Sequence, residues 1–168
     1  MAMLDIIDLK AHFSSPDGLV KAVNSVDLQI KYNERLGLIG ETGCGKTVLG
    51  MSIIRLLPSS AGVEGQIIYN GHDLLRLTEE EMRQLRGREI AMILQNPTTS
   101  LNPVLKVRDQ IAEVISLHKG LGKKEAKARA VQMLEAAMIP EAERRADQYP
   151  HELSGGMKER VMIAMGLA

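Results

Sequence analysis

The stretch GETGCGKT, residues 40–47, restricts what this chain can become more than any other. It fits the pattern G-x-x-x-x-G-K-[ST]. It follows a short apolar run, RLGLIG (35–40), which reads as a buried strand. It precedes Leu49, Ile53, Leu56 and Leu57, whose spacing predicts a helix that Pro58 ends. A strand, a glycine-rich turn and a helix in that order form a phosphate cradle. Glycines let backbone N–H groups turn inward around phosphate oxygens with no side chain in the way. The helix dipole adds positive potential at the same point. In this arrangement Lys46 reaches the β- and γ-phosphates and the Thr47 hydroxyl ligates Mg²⁺. The loop alone names a nucleotide phosphate and leaves a small-molecule kinase open. A small GTPase is disfavoured, because neither D-x-x-G nor N-K-x-D occurs.

The other elements divide the chain into two styles. Leu4 to Phe13 and Val26 to Ile30 read as strands separated by the turn chemistry of SSPDG (14–18). GQIIYNG (65–71) reads as a strand entering an Asn-Gly turn. Thr78 and Glu81 form a capping box for a helix that Gly87 stops. EIAMILQ (89–95) reads as another buried strand, and NPTTSLNP (96–103) as a joint. From Val107 onward only helical periodicity remains: Val107, Ile111, Val114 and Ile115, then Ala130, Val131, Leu134, Ala137 and Met138. The expected division is residues 1–95 as a nucleotide-binding core with an antiparallel β subdomain, and 96–168 as a helical part. The basic stretch KKEAKAR (123–129) reads as the solvated face of a helix whose other side carries Ala130, Leu134 and Met138.

Composition removes several classes. Formal net charge is zero, which argues against a nucleic-acid-binding protein. The single cysteine, Cys44, permits no intramolecular disulfide and fits a reducing compartment. Asp5 and Asp8 interrupt the N-terminus where a signal peptide needs an apolar stretch, and the longest apolar run, 161–168, is too short for a bilayer. Ten methionines against one Phe, three Tyr and no Trp imply a core filled by flexible thioethers.

A second glycine turn stands late in the chain. LSGGM (153–157) places Ser154, Gly155 and Gly156 at the start of a helix expected from about Met157 to Leu167. Free N–H groups, a hydroxyl and no obstructing Cβ make a second anion-binding helix start. Two such receptors in one chain make sense if they face each other across two subunits.

With both turns in view, the whole chain resembles the ATP-binding subunit of ABC transporters. GETGCGKT resembles the Walker A loop, with Gly40, Glu41, Thr42, Gly43, Cys44, Gly45, Lys46 and Thr47 as its residues. ILQNP resembles the Q-loop, with Gln95 as the glutamine. LSGGM resembles the signature motif, with Met157 where many members carry glutamine. Phe13 matches the aromatic that stacks on adenine, a contact worth roughly 1–3 kcal/mol by analogy with base stacking. QNPTTSLNPV and HELSGGMKERVMIAMGLA resemble the dipeptide, oligopeptide and nickel importer branch, although Glu159 departs from a common glutamine.

The resemblance implies an α/β fold: a P-loop NTPase nucleotide-binding domain of ABC type, with antiparallel β and helical subdomains, breaking off before the Walker B strand. It implies ATP and Mg²⁺ as cofactors, with Thr47 and Gln95 on the metal and Gln95 also on the attacking water. It implies a head-to-tail dimer with a second, paralogous ATPase subunit, each γ-phosphate held by one chain's phosphate loop and the other's Ser154 and Gly156. Two membrane permease subunits complete the assembly at the cytoplasmic face of the cell membrane. An extracytoplasmic solute-binding protein acts indirectly, and no nucleic acid is involved. The expected activity is transport-coupled ATP hydrolysis.

No apolar run followed by Asp-Glu occurs in these residues, and His12, His72, His118 and His151 match neither a switch histidine nor metal-ligand spacing. The expectation is therefore a piece of a longer gene product that does not hydrolyse ATP by itself. A phosphate-release turnover of about 1 s⁻¹, an ordinary enzymatic rate, would refute it. The alternative is a non-catalytic nucleotide-binding or permease-docking fragment. A DNA-repair or chromosome-associated ATPase is disfavoured because the span between the two turns is compact and free of cysteine beyond Cys44.

Overall fold

The computed structural model describes residues 2–16, 18–95 and 100–168. Asp17 in the first turn and 96–99 in the joint lie outside the described residues. The chain divides into two compact units, residues 1–86 and 87–168.

The first unit is an antiparallel sheet carrying the glycine loop. β1 (Ala2–Ser15) and β2 (Gly18–Lys31) form a hairpin, and β3 (Ala61–Tyr69) and β4 (His72–Asp73) continue the sheet in the order β2-β1-β3-β4. β2 is longer than the alternation at 26–30 announces, because its first half pairs with β1 from Ser15↔Gly18 to Ala11↔Val23 while keeping little apolar burial of its own. Asn70 and Gly71 both adopt positive φ, which suits the two-residue turn between β3 and β4. Ile6, Leu9 and Ala11 from β1 and Ile67 from β3 are buried with Leu74 and Met82. A 3-10 turn, Leu74–Arg76, leads to α2 (Glu79–Leu85), which starts on the expected Thr78–Glu81 capping box.

α1 (Lys46–Ile53) follows the glycine loop. It is shorter than the periodicity through Leu57 predicts. Arg55 adopts φ 52°, outside helical space, and its side chain turns to the carbonyl oxygens of Leu74 and Leu77. Propensity yields here to tertiary hydrogen bonding.

Two expected strands are absent. Residues 34–41 form no strand and are all exposed, Ile39 to 97%. Residues 91–94 form none either, and Ile93 and Leu94 are exposed. The reason is the same for both. A parallel-type strand needs hydrogen-bonding neighbours, and among the described residues β1–β4 pair only with one another. The helical unit offers no strand at all among its described residues.

The second unit packs α3 (Val107–Lys119), α4 (Lys123–Ala136), α5 (Ala142–Ala146) and α6 (Gly155–Gly166) around one core. Val107, Ile111 and Ile115 of α3 meet Ala130 and Leu134 of α4 and Val161 of α6 in that core. Lys123 and Lys124 are exposed while Ala126, Ala130 and Leu134 are buried, the solvated-face pattern expected of 123–129. Met138 departs from its expected place. It lies beyond the helix end at φ 59° and is 74% exposed.

Three carboxylates of the first unit are held below their ordinary range. Asp8 accepts from Lys10 and from the Ser25 hydroxyl, Glu79 from Arg86, and Glu81 from the Thr78 hydroxyl and backbone. A carboxylate depressed by folding contributes stability that is present above its unfolded pKa and is lost as pH falls through the folded one. Acidification below the usual Asp and Glu range should therefore loosen residues 1–86, and an Asp8→Asn variant should flatten that dependence. Backbone amide signals of the sheet followed from pH 6 to pH 3 by NMR check this, and an unchanged sheet over that range would contradict it.

Candidate functional site

The glycine loop is built on two glycines in left-handed backbone space, one of which also closely approaches β2. Gly43 and Gly45 take φ 86° and 96°, conformations that side chains with a Cβ rarely adopt. At Gly45 the backbone also presses on β2: a Cβ there would stand 2.2 Å from the Ala22 carbonyl oxygen. Gly45 is the N-cap of α1 and offers no side-chain acceptor, and the first turn holds no acidic residue. The first-turn amides thus have no side-chain partner from the cap, the arrangement an anion needs.

Lys46 folds back over the loop. Its ammonium donates to the carbonyl oxygens of Gly40 at 2.6 Å and Glu41 at 2.7 Å, and stands 3.4 Å from Cys44 Sγ. Thr47, next on the helix, is exposed, as are Gly40, Glu41, Thr42, Gly43 and Cys44. Phe13 is half-buried and pairs with Val20 of β2 and Ala61 of β3. The loop lies against the same stretch of β2, at Ala22, so loop and aromatic ring share one end of the hairpin.

Gln95 and the second glycine turn belong to the helical unit. Gln95 is exposed and lies outside any helix or strand. The approach to Ser154 is tightly made. A 3-10 turn, Pro150–Glu152, is closed by Tyr149 N–H donating to Glu152 Oε2 at 2.7 Å and Glu152 N–H donating to the Tyr149 carbonyl at 3.0 Å. The Tyr149 and His151 rings stack at 5.7 Å, and Leu153 is buried. Ser154 is then the N-cap of α6, its Oγ accepting from Met157 N–H at 3.4 Å. α6 begins at Gly155, two residues earlier than the expected Met157.

Gly155 and Gly156 are exposed, and a Cβ on either would meet nothing within 4 Å. Neither has a positive φ. The fold itself therefore does not need glycine at these two positions, in contrast to Gly45. Their lack of a side chain leaves the start of α6 open to solvent.

The profile of the ABC transporter family matches residues 23–168. The chain belongs to the ABC transporter family. Among its relatives, a probable peptide ABC transporter ATP-binding protein, y4tR of Sinorhizobium fredii, is 46% identical over 99% of this chain and 50% of its own length. The oligopeptide transport ATP-binding protein OppD of Escherichia coli is 45% identical over 99% of this chain and 49% of its own. OppD of Bacillus subtilis is 45% identical over 99% and 47%. The chain thus spans about half the length of the curated relatives it matches. In fold it matches the dimeric bacterial ABC transporter cassette MJ0796 with TM-score 0.85 at 24% identity, covering 98% of this chain and 69% of that one. A second structure of that cassette, a post-hydrolysis state bound to ADP and Pi, matches with TM-score 0.86. The fold class is therefore that of an ABC ATPase cassette: an α/β nucleotide-binding domain with an antiparallel β part and a helical part.

Three polar groups escaped sequence reasoning. Gln110 is buried within the apolar stripe of α3, where it accepts from Asn102 N–H and donates to the carbonyls of Asn102 and Leu105. An amide among Val107, Ile111 and Val114 was the available signal. Arg55 and Arg86 gave none, because their partners are distant backbone carbonyls.

Proposed function

We propose that this chain is the ATP-binding part of the motor subunit of an ABC importer for peptides, with nickel as the alternative cargo of the same branch. The observation that carries the reading is the loop at 40–47: a backbone cradle opening onto a helix start with no capping side chain, and Lys46 and Thr47 on its rim. The relatives' names supply the cargo class. In this reading Gly40 to Gly45 and Lys46 wrap the phosphates, Phe13 supports adenine, and Ser154, Gly155 and Gly156 close on the γ-phosphate of a partner subunit's nucleotide.

Mg²⁺ fits the residues present. No group of three or more His, Cys, Asp or Glu residues stands together among the described residues. Mg²⁺ needs no such cage, since it commonly keeps waters and takes one or two protein ligands beside substrate phosphates. The exposed Thr47 hydroxyl would hold it beside the substrate phosphates, and the ion would neutralise phosphate charge. No helix of the described residues is long and apolar enough to cross a membrane, so attachment at the cytoplasmic face would run through the permease subunits, with an extracytoplasmic binding protein delivering cargo. Hydrolysis and transport belong to the whole protein.

Titration of Mg-ATP against the chain, read at the amides of Gly43 to Thr47 by NMR, tests the reading, and unmoved signals there would overturn it. The second turn gives a sharper prediction. Glycine in a helix costs about 0.5–1 kcal/mol relative to alanine. Gly155→Ala and Gly156→Ala should therefore leave thermal stability equal or raised, yet abolish ATP-dependent association of the full-length protein with its partner subunit. Association unchanged by both substitutions in analytical ultracentrifugation would remove 154–156 from the site.

A further inference from the structure

The helix that carries Lys46 and Thr47 is poorly secured along its length. α1 has eight residues, of which only Leu49 and Ser52 are buried. Isolated helices below about 12–15 residues are marginal in water, so its order depends on tertiary ties. A set of polar ties stands at its far end. Arg86 Nε donates to the Ile54 carbonyl at 2.7 Å and Nη2 to the Arg55 carbonyl at 3.2 Å, covering carbonyls that the helix leaves without partners. A cation at this end also suits the helix dipole. The rest of the guanidinium fork pairs with Glu79, through Nη1 to Oε1 and Nη2 to Oε2 at 3.4 Å. Arg55 answers in the opposite direction. Its Nη1 donates to the carbonyls of Leu74 at 3.1 Å and Leu77 at 2.6 Å. Two arginines thus cross-link the end of α1 with the 3-10 turn and α2, each binding backbone on the other's side.

We propose that Arg86 is a positioning residue for the phosphate loop. Through the C-terminus of α1 it holds the helix whose N-terminus presents Lys46 and Thr47, and Glu79 holds the Arg86 fork in plane. The inference rests on the triphosphate reading of residues 40–47. A lysine at position 86 supplies a point charge that cannot span two carbonyls and a carboxylate at once, so charge alone does not replace the fork. Apparent affinity falls in inverse proportion to the fraction of molecules holding the competent loop.

The test uses the full chain with Arg86→Gln, Arg86→Lys and Glu79→Gln. Mg-ATP affinity is measured by titration calorimetry and amide exchange across α1 by NMR. Arg86→Gln should raise the dissociation constant about three- to tenfold and speed exchange in α1. Arg86→Lys should fall between it and the parent, and Glu79→Gln should shift both readouts the same way by less. Glu79 is 69% exposed, so its variant carries the test if Arg86→Gln does not fold. A lowered melting temperature with faster exchange throughout the sheet and unchanged affinity means a merely structural role and overturns the proposal. If the parent itself binds no Mg-ATP, the triphosphate reading fails. The exchange arm then decides alone: faster exchange confined to α1 upholds the latch, and unchanged exchange overturns it.

Discussion

Gly45→Ala is expected to be among the most damaging single-methyl changes in the first unit. Two costs add at this position. A residue with a Cβ in left-handed backbone space pays about 1–2 kcal/mol. The new Cβ would also stand 2.2 Å from the Ala22 carbonyl oxygen, a distance no real contact tolerates, so the loop or β2 must move. Overpacking of that kind costs typically about 1–3 kcal/mol. The sum, about 2–5 kcal/mol, is a large part of a domain's usual net stability of about 5–15 kcal/mol. Gly43 is the internal control. It has φ 86°, but a Cβ there meets nothing within 4 Å. Gly43→Ala should therefore show the conformational cost alone. Urea unfolding of both variants separates the terms. Equal losses would mean that the contact between loop and β2 carries no weight, and that the loop is not docked on the hairpin.

The contrast shows what was legible in the sequence. Features set by neighbours along the chain were readable. Thr78 with Glu81, Asn70 with Gly71, and the apolar stripe of α3 from Val107 to Ile115 all appear where their patterns place them. The glycine turn and the helix that follows it belong with these, because they are contiguous, whereas the strand expected before them does not form. Features set by distant partners were not. RLGLIG has the composition of a buried strand, yet composition only makes a segment fit for a sheet, and a ladder needs a neighbour. Met138 continues a helical stripe on paper, but Ala137 ends the helix and the chain turns through a left-handed residue. The crossed arginines left no periodic trace, since each binds carbonyls some twenty to thirty residues away. Within the proposed site the same division holds. The chemistry of Lys46 and Ser154 can be named from short motifs, while the close approach of Gly45 to Ala22 belongs to tertiary structure.

Lys46→Ala should separate binding from folding more cleanly than any other substitution in the loop. Among the described residues the side chain is tied only to the Gly40 and Glu41 carbonyls and to Cys44, and those three residues are exposed. Water can replace the lost hydrogen bonds there, so stability should change by no more than about 0.5 kcal/mol, as for most surface substitutions. Binding is a different matter. A hydrogen bond to a charged group contributes about 1.5–3 kcal/mol, and a phosphate has no other ammonium offered to it by this loop. The dissociation constant for Mg-ATP should rise roughly ten- to a hundred-fold at the same melting temperature. Under the proposed reading the same substitution should weaken ATP more than AMP, because there the lysine meets the terminal phosphates rather than the first. Melting curves together with titrations of both nucleotides decide the matter. An ATP affinity within about twofold of the parent, below 0.5 kcal/mol, would mean that the clasp on Gly40 and Glu41 is the lysine's whole role and that the cradle serves some other anion.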